Sequence, residues 1–446
     1  MSDAASEAAK LPARGALYPA GVPALLRLAA PWIALAALFA ILPAIFASGT
    51  ALTMMSLMGI MIVFALSYNM LLGETGLLSF GHAVYYGLGG FLAVHAMNVV
   101  IHDRLPVPLP LIPLVGAFGG LAGLAFGFLF GLVSTKKGGL SFAMISLGLG
   151  ELASSSSFIL RGFFGGEEGV STNRTKLLPV FGLHFGPQIQ VYYLIAAWCL
   201  VCMVLMYALR RTPFGRMCNA VRENPERAQF VGYNPGTVRF IAFALAGLFA
   251  GVAGALAAIN FELVNSAAVG AEQSGLVLLA AFIGGTGNFI GPVVGAVLVT
   301  WLELMLSDVT EVWQLYFGLL FIGMVMFAPR GIAGLVMMHE PLWQARAYGS
   351  MLRLALTYLI ALIPALALIA GLILVIEMAY HVSVKASEGP TISLMHVTLS
   401  TTSATPWVVT AVLVAGGFFL FRLTWPLVGA AWHDAFMQAH GSPRAK

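Results

Sequence analysis

Charged residues are scarce in this chain of 446 residues. Only 9% of the residues are charged and 60% are hydrophobic, whereas soluble domains have about 25% charged and about 45–50% apolar residues. This composition excludes a soluble globular protein. It also excludes a disordered chain, because disordered segments are rich in charge and poor in apolar residues. The sequence therefore predicts a protein that lies within a lipid bilayer.

Cysteines and enzyme motifs are scarce as well. The three cysteines form no paired set with the spacing of a zinc site, so we expect no metal site. The sequence contains no Gly-x-x-x-x-Gly-Lys-Ser/Thr loop, no His-Glu-x-x-His motif and no Gly-x-Ser-x-Gly motif. We therefore predict that the chain is not an enzyme and binds no cofactor. If ATP drives its function, another subunit must hydrolyse it.

Twelve apolar runs approach the roughly 20 residues that a helix needs to cross a bilayer. The runs are 28–47, 51–72, 78–99, 109–133, 139–160, 189–209, 237–260, 274–286, 289–306, 313–328, 353–380 and 405–432. The run 274–286 is too short to span alone, so it is either extended by its neighbours or half of a broken helix. The pattern predicts an all-α, polytopic membrane protein with about ten core helices and about two extra C-terminal helices.

The distribution of Lys and Arg predicts the orientation. Residues 1–27 carry basic residues ahead of a first run that is longer than the apolar region of a signal peptide, so we predict a retained helix and a cytoplasmic N-terminal segment. Most of the 22 Lys and Arg residues then fall on the cytoplasmic side, and the C-terminus is cytoplasmic too. Five fall in external segments: Arg104, Arg161, Arg174, Lys176 and Lys385. The polar external segment 161–188 is either a docking surface or a connector.

The most basic internal segment follows the sixth run, and we name residues 210–236 the coupling loop. Thr212-Pro213 and Asn224-Pro225 each combine an N-cap residue with proline at the first helical position, which predicts two short helices. Gly232 can end the second helix. The first helix has one apolar stripe at helical spacing, formed by Phe214, Met217, Cys218 and Val221. From its residues alone, this loop is either a basic patch on anionic lipid or a stiff element that transmits a movement.

Glycines recur at two kinds of position. One set repeats every fourth residue and predicts close helix packing: Gly119, Gly123, Gly127 and Gly131, and Gly247, Gly251 and Ala255. A second set forms two loosely similar interruptions, Gly73–His82 and Gly284–Pro292. Interruptions of this kind are typical of the broken helices of transporters.

An ionisable residue within a run implies a function or a specific contact, because a charge at the centre of a membrane helix costs about 2.5–3.5 kcal/mol. Glu151 lies near the middle of its run, where it could face a polar passage or bind a neighbouring helix. For His82 we expect an interhelical hydrogen bond. Glu74, Glu303 and Glu377 lie toward the ends of their runs, where we expect water to reach them, and we assign them no function.

Residues from about 50 to 335 resemble the LivM-type permeases of branched-chain amino acid ABC transporters. The resemblance depends on the order of short motifs: Asn69–Gly73, Gly76–Ala83, Phe142–Leu147, Thr212–Arg216, Arg222–Asn224, Gly284–Pro292 and Pro329–Gly331. It implies a bacterial inner-membrane permease core at residues 28–335 that imports branched-chain or related small amino acids by alternating access. It also implies four kinds of partner: a second homologous permease, two cytoplasmic ATPase subunits that bind ATP and Mg, a periplasmic solute-binding protein and membrane lipid, with no nucleic acid.

The resemblance implies that the coupling loop contacts the ATPases. The residues expected to couple are Phe214, Gly215, Arg216, Arg222, Glu223 and Asn224. We further predict that the translocation pathway includes Asn69, Ser79, His82 and Glu151.

Residues 340–446 extend beyond the usual end of the family pattern, and their role is open. Related permeases also carry urea, short amides and aromatic acids, so the solute is open too. Two other classes remain. An ion-coupled secondary transporter would use Glu151 or His82 to carry a proton. A membrane scaffold would use the C-terminal extension to recruit a partner.

Overall fold

The computed structural model confirms the multi-pass helical architecture. It describes residues 22–102, 111–179, 182–344, 348–385, 389–394 and 397–441. Within these ranges ten helices are long and apolar enough to cross a membrane, and each of the twelve predicted runs coincides with a helix. Of the other two runs, Ala271–Gly284 is shorter than a full span, and Ala29–Ile45 is the part of the first helix whose side chains are described.

Parts of the orientation argument fall on residues outside these ranges. They include most of the predicted N-terminal segment, residues 1–21, and four basic residues toward loops and the C-terminus: Arg104, Arg346, Arg444 and Lys446.

The chain divides into two compact units, residues 1–274 and 275–446. This division differs from the sequence-based boundary near residues 335–340, which stays a prediction. The helices that begin in the first unit are α1 Val22–Ile45, α2 Gly49–Thr75, α3 Ala83–Ile101, α4 Leu111–Ser134, α5 Leu140–Ile159, α6 Arg161–Phe164, α7 Gln188–Arg211, α8 Pro213–Glu223, α9 Pro225–Phe230, α10 Pro235–Phe261 and α11 Ala271–Gly284. Those of the second unit are α12 Ile290–Val309, α13 Trp313–Phe327, α14 Gly331–Met337, α15 Glu340–Gln344, α16 Tyr348–Val384 and α17 Ala404–Gly441.

Helix α10 is the most deeply buried of the candidate spans and forms the centre of the first unit. It packs against α2, α3 and α4. The contact with α4 is between backbones: a Cβ atom added at Gly123 would strike the carbonyl oxygen of Gly247, and one added at Gly251 would strike that of Gly119. The predicted close packing of the two glycine series is therefore confirmed.

The helices of the first unit alternate in direction. The rings of Trp32 and Tyr207 lie 5.3 Å apart, and the Tyr192 hydroxyl donates to the carbonyl of Phe39 at 2.9 Å. Because Trp32 is early in α1 and Tyr207 late in α7, the two helices are antiparallel. The coupling loop lies at the end of the unit where α2 and α7 finish and α10 begins.

The segment 161–188 lies at the opposite end and has more structure than a plain loop. It contains α6, strand β1 (Val170–Ser171) paired with strand β2 (Leu263–Val264), and a 3₁₀ turn at Arg174–Lys176. The guanidinium of Arg174 donates to the carbonyl oxygens of Ile259 and Asn260 at 2.9 and 3.2 Å. A cation at this position satisfies the free carbonyl groups at the end of α10.

The second unit contains the two helices of the C-terminal extension, which confirms the two extra spans. Helices α16 and α17 pack against each other. The chain between them forms a two-stranded antiparallel hairpin of β3 (Thr391–Leu394) and β4 (Val397–Ser400). At another point of this unit the glycines of the second interruption lie in backbone contact, because Cβ atoms added at Gly285 and Gly331 would strike the backbones of Arg330 and Gly285, respectively.

Candidate functional site

The coupling loop folds into the two predicted short helices. Thr212 begins α8, and its hydroxyl accepts a hydrogen bond from the Gly215 amide at 3.4 Å. Asn224 ends α8 and begins α9, where its side chain accepts from the Arg227 amide at 2.9 Å. Asn234 then caps the start of α10, which returns the chain to the helical bundle.

The predicted apolar stripe holds α8 against the bundle. Cys218 and Val221 are buried against Val238 and Ala242 of α10, and Phe214 and Met217 pack on the same cluster. Burial raises the pKa of the Cys218 thiol to about 12, and the nearby carboxylate of Glu74 adds to this effect. The thiol is therefore protonated and shielded at neutral pH.

Glu74 binds the polar side of α8, a contact that the sequence analysis did not predict. Glu74 is only 8% exposed, so the expectation that water reaches it is wrong. The Arg210 guanidinium forms an ion pair with its Oε1 atom at 3.0 Å, and the Asn219 amide donates to its Oε2 atom at 2.9 Å. One carboxylate thus connects the end of α2 to the end of α7 and to the middle of α8.

Arg222 makes a second connection between α8 and the end of α2. Its guanidinium donates to the carbonyl oxygen of Gly73. Its stem crosses Gly76, where an added Cβ would lie 3.0 Å from Cγ of Arg222. Gly76 has a φ of 70°, a left-handed conformation that glycine adopts without strain. Here Arg222 binds α2 of its own chain, and its contact with an ATPase stays a prediction.

The other predicted coupling residues divide by exposure. Gly215 is buried, and a Cβ added there would strike the backbone of Arg210. Arg216, Glu223 and Asn224 are exposed. These three side chains are therefore accessible to a partner, whereas Phe214 and Gly215 position the helix.

An exposed apolar pair at the end of α9 was not predicted. Phe230 is 91% exposed and Val231 is 71% exposed. They directly precede Gly232, which has a φ of 98°. The sequence feature that could have indicated this pair is its position outside the apolar stripe of α8 and directly before a glycine that ends a helix.

The first glycine-rich interruption is confirmed as a non-helical segment between α2 and α3. His82 is fully buried there, and its Nε2 atom lies 2.9 Å from the Ser67 hydroxyl of α2. This confirms the predicted interhelical hydrogen bond. Ser67 donates its own proton to the carbonyl of Phe64 at 2.6 Å, so it accepts from His82. The Nδ1 atom of His82 is then an acceptor, and it has no partner among the described residues.

The other predicted pathway residues lie in two places. Asn69 is buried on α2, and Ser79 is buried in the interruption. Each has a side-chain oxygen without a partner in the described part of the chain. Glu151 is exposed on α5. The structure therefore does not bring Glu151 into the buried group around His82.

Two serines stabilise the non-helical segment through its backbone. The amide of Phe80 donates to the Ser146 hydroxyl of α5 at 3.1 Å, and the amide of Ala83 donates to the Ser274 hydroxyl of α11 at 3.0 Å. A short 3₁₀ helix before α11, Ser266–Val269, which the sequence analysis missed, lies against α3, because a Cβ added at Gly87 would strike Val269. Non-helical backbone within a membrane protein is tolerated where protein groups satisfy it.

Comparisons with known proteins agree on one family. Residues 50–329 match the family model described as branched-chain amino acid transport system / permease component. The chain is 26% identical over 297 residues to the high-affinity branched-chain amino acid transport system permease protein LivM of Escherichia coli, covering 61% of this chain and 67% of that protein. It is 25% identical over 283 residues to the permease BraD of Pseudomonas aeruginosa, covering 60% of this chain and 90% of that protein.

A more distant relative has a different solute in its name. The autoinducer 2 import system permease protein LsrC of Yersinia enterocolitica is 28% identical over 143 residues, which is 30% of this chain and 40% of that protein. No solved structure matches the chain.

Proposed function

Because this multi-pass membrane chain belongs to the family of permease components of branched-chain amino acid transport systems, we propose that it is the permease subunit of an ATP-driven importer. The importer would carry branched-chain or related small amino acids across the bacterial inner membrane. The relatives LivM and BraD support this solute class. The alternative solutes are urea, short amides and aromatic acids, and the name of LsrC indicates that the solute varies among similar permeases.

The connection of the coupling loop to α2 is the observation that carries the proposal. A partner that pushes on α8 acts on Glu74 through Asn219 and on Gly73 through Arg222. Both contacts lie at the end of α2, directly before the non-helical segment that holds Ser79 and His82. Movement of α8 therefore displaces the segment beside the proposed pathway, and the passage opens alternately to each side of the membrane.

The partners in this proposal follow from the coupling loop. Two cytoplasmic ATPase subunits bind ATP and Mg and contact Arg216, Glu223 and Asn224. A second homologous permease completes the passage, and a periplasmic binding protein delivers the solute. The termini of this chain are cytoplasmic, which places the coupling loop on the ATPase side.

The polar atoms of Asn69, Ser79 and His82 that have no partner among the described residues support a polar pathway in this region. Buried polar groups without a partner are costly, about 1–3 kcal/mol each, so they point to a molecule that binds there during the transport cycle. Glu151 would join this pathway from α5 only in another conformation or beside a second subunit.

Replacing Gly215 by tryptophan tests the coupling. The new side chain meets the backbone of Arg210 and must displace α8, so we expect normal membrane insertion and ATP hydrolysis but loss of solute uptake in the reconstituted complex. Gly429→Trp is the matched control, since Gly429 has open space around it. Normal uptake by the Gly215→Trp variant would contradict the proposed role of α8.

The solute and the energy source are tested in the same vesicles. We expect ATP hydrolysis to rise when the binding protein presents a branched-chain amino acid. Uptake that persists without ATP and stops when the proton gradient is removed would instead identify an ion-coupled transporter.

A further inference from the structure

A polar cavity lies within the second unit, where α12 meets the end of α16 and the start of β3. Its volume is about 420 Å³, within the range of about 300–1,000 Å³ typical of small-molecule sites. The side chains that decide its chemistry are Asp308, Thr310, Glu311, Glu377, His381 and Lys385. The family model ends at residue 329, so this wall combines the family core with the C-terminal extension.

Glu377 is the first unusual feature of the cavity. The residue is only 7% exposed, which corrects the expectation that water reaches it. Its Oε1 atom accepts hydrogen bonds from the Thr310 hydroxyl at 2.6 Å and from the Tyr316 hydroxyl at 2.9 Å. Within the described ranges no cation forms an ion pair with it, and its Oε2 atom receives neither of these bonds. A buried carboxylate without a cation is costly.

His381 is the second unusual feature, and it is independent of the acidic residues. It lies one helical turn after Glu377 on α16 and lines the same cavity. It is 5% exposed, and its Nδ1 atom is buried without a partner in the described part of the chain. The ring lines the cavity, and a ligand there would meet the ring without reaching this buried nitrogen.

Among the described residues that line the cavity, one is a lysine, and it forms an ion pair. Lys385 Nζ lies 2.8 Å from Oε1 of Glu311, and the Tyr380 hydroxyl donates to Oε2 at 2.9 Å. The hydrogen bond from Lys385 holds the pKa of Glu311 below its ordinary value. The pair is therefore neutral as a whole, and among the described lining residues no other lysine or arginine balances Glu377.

The geometry points to a ligand with a primary ammonium group. We propose that the cavity binds a small molecule whose ammonium donates to Oε2 of Glu377 and packs beside the ring of His381. An anion would be repelled by the carboxylates. Among the described residues no three His, Cys, Asp or Glu side chains are arranged to hold a metal ion, so an organic cation or zwitterion fits the site better. The inference does not depend on the importer proposal, because binding at this site requires no transport.

Three probes and one variant test the proposal on the intact chain in phosphatidylcholine nanodiscs, with calorimetry as the measurement. The probes share one carbon skeleton: 3-methylbutylamine has the ammonium alone, 4-methylpentanoate has the carboxylate alone, and L-leucine has both. The variant is Glu377→Gln, which keeps an oxygen to accept from Thr310 and Tyr316. Asp434→Asn is the matched control, because Asp434 is an exposed acid of α17 outside the cavity.

We expect the amine and L-leucine to bind, and the carboxylate probe to bind at least tenfold more weakly. Glu377→Gln should weaken binding of the amine at least tenfold, and Asp434→Asn should leave it unchanged. Equal binding of the amine to wild type and Glu377→Gln would overturn the proposal, and so would equal binding of the amine and the carboxylate.

A second arm identifies the source of the ammonium. The headgroup of phosphatidylethanolamine also has a primary ammonium. If the natural ligand is this lipid, adding it to the nanodiscs will weaken amine binding to the wild type. If the ligand is a free solute, the lipid will have no effect. Either result is compatible with an ammonium site.

Discussion

Two buried glutamates at different places in this chain illustrate two uses of a carboxylate. Glu74 is 8% exposed and Glu377 is 7% exposed, but their surroundings differ. Glu74 has the cation Arg210 and an amide as partners, whereas Glu377 has two hydroxyl groups. Glu74 is electrostatically satisfied by its own chain and connects three helices. No cation among the described residues forms an ion pair with Glu377, and this difference is the basis of the proposed ammonium site.

The largest expected effect is on the alkylation rate of Cys218, which is buried close to Glu74. Since alkylation requires the thiolate, and the pKa of Cys218 is raised from 9.0 to about 12, we expect Cys218 to react with iodoacetamide about a thousandfold more slowly at pH 8 than an unfolded thiol. The rate should rise about tenfold per pH unit up to pH 12. Glu74→Gln removes the neighbouring charge and should accelerate the reaction. A rapid reaction in the folded wild type at pH 8 would show that α8 is open there.

The second effect is on transport. Glu74→Gln removes the ion pair between Glu74 and Arg210 and weakens the hydrogen bond to Asn219, so it should reduce solute uptake at least tenfold while ATP hydrolysis continues. Glu167→Gln, at an exposed position of the 161–188 segment, is the control and should transport normally. Wild-type uptake by Glu74→Gln would remove Glu74 from the coupling mechanism.

A smaller effect is expected at the exposed side of the coupling loop. Phe230 is 91% exposed, and burial of such a ring in a partner contributes about 1.5–3 kcal/mol. Phe230→Ala should therefore weaken copurification of the ATPase subunits about tenfold or more without changing thermal unfolding of the isolated chain. Phe418→Ala, at a half-exposed position of α17, controls for a general loss of apolar surface.

The smallest effect is on stability, and it separates the two carboxylates directly. Glu74→Gln should reduce the free energy of unfolding by about 1–2 kcal/mol, less than for a fully buried pair because Arg210 is partly exposed. Glu377→Gln should change it by less than about 0.5 kcal/mol, because no cation loses its partner. Thermal unfolding of both variants in the same detergent compares them. A larger loss at Glu377 than at Glu74 would reverse the assignment of the two roles.

The elements that could be predicted from the sequence are those determined by residues close together along the chain. Thr212-Pro213 and Asn224-Pro225 determine the starts of α8 and α9 locally, and the spacing of Cys218 and Val221 identifies the buried face of α8. The glycines of α4 and α10 predicted close packing because a four-residue repeat forms one helix face.

The contacts of Glu74 and Glu377 could not be predicted in this way. Their position along a run does not determine their burial, because other helices cover the ends of α2 and α16. The partner Asn219 lies 145 positions from Glu74, and Thr310 lies 67 positions from Glu377. Periodicity carries no information on contacts across such separations.

The length of α10 has a structural consequence. Its 27 residues rise about 1.5 Å each and extend about 40 Å, whereas the hydrocarbon layer is about 30 Å thick. The helix is therefore long enough for both of its tips to reach the aqueous phases, one beside α8 and the other beneath Arg174. One continuous helix thus connects the coupling loop at one end with the 161–188 segment at the other.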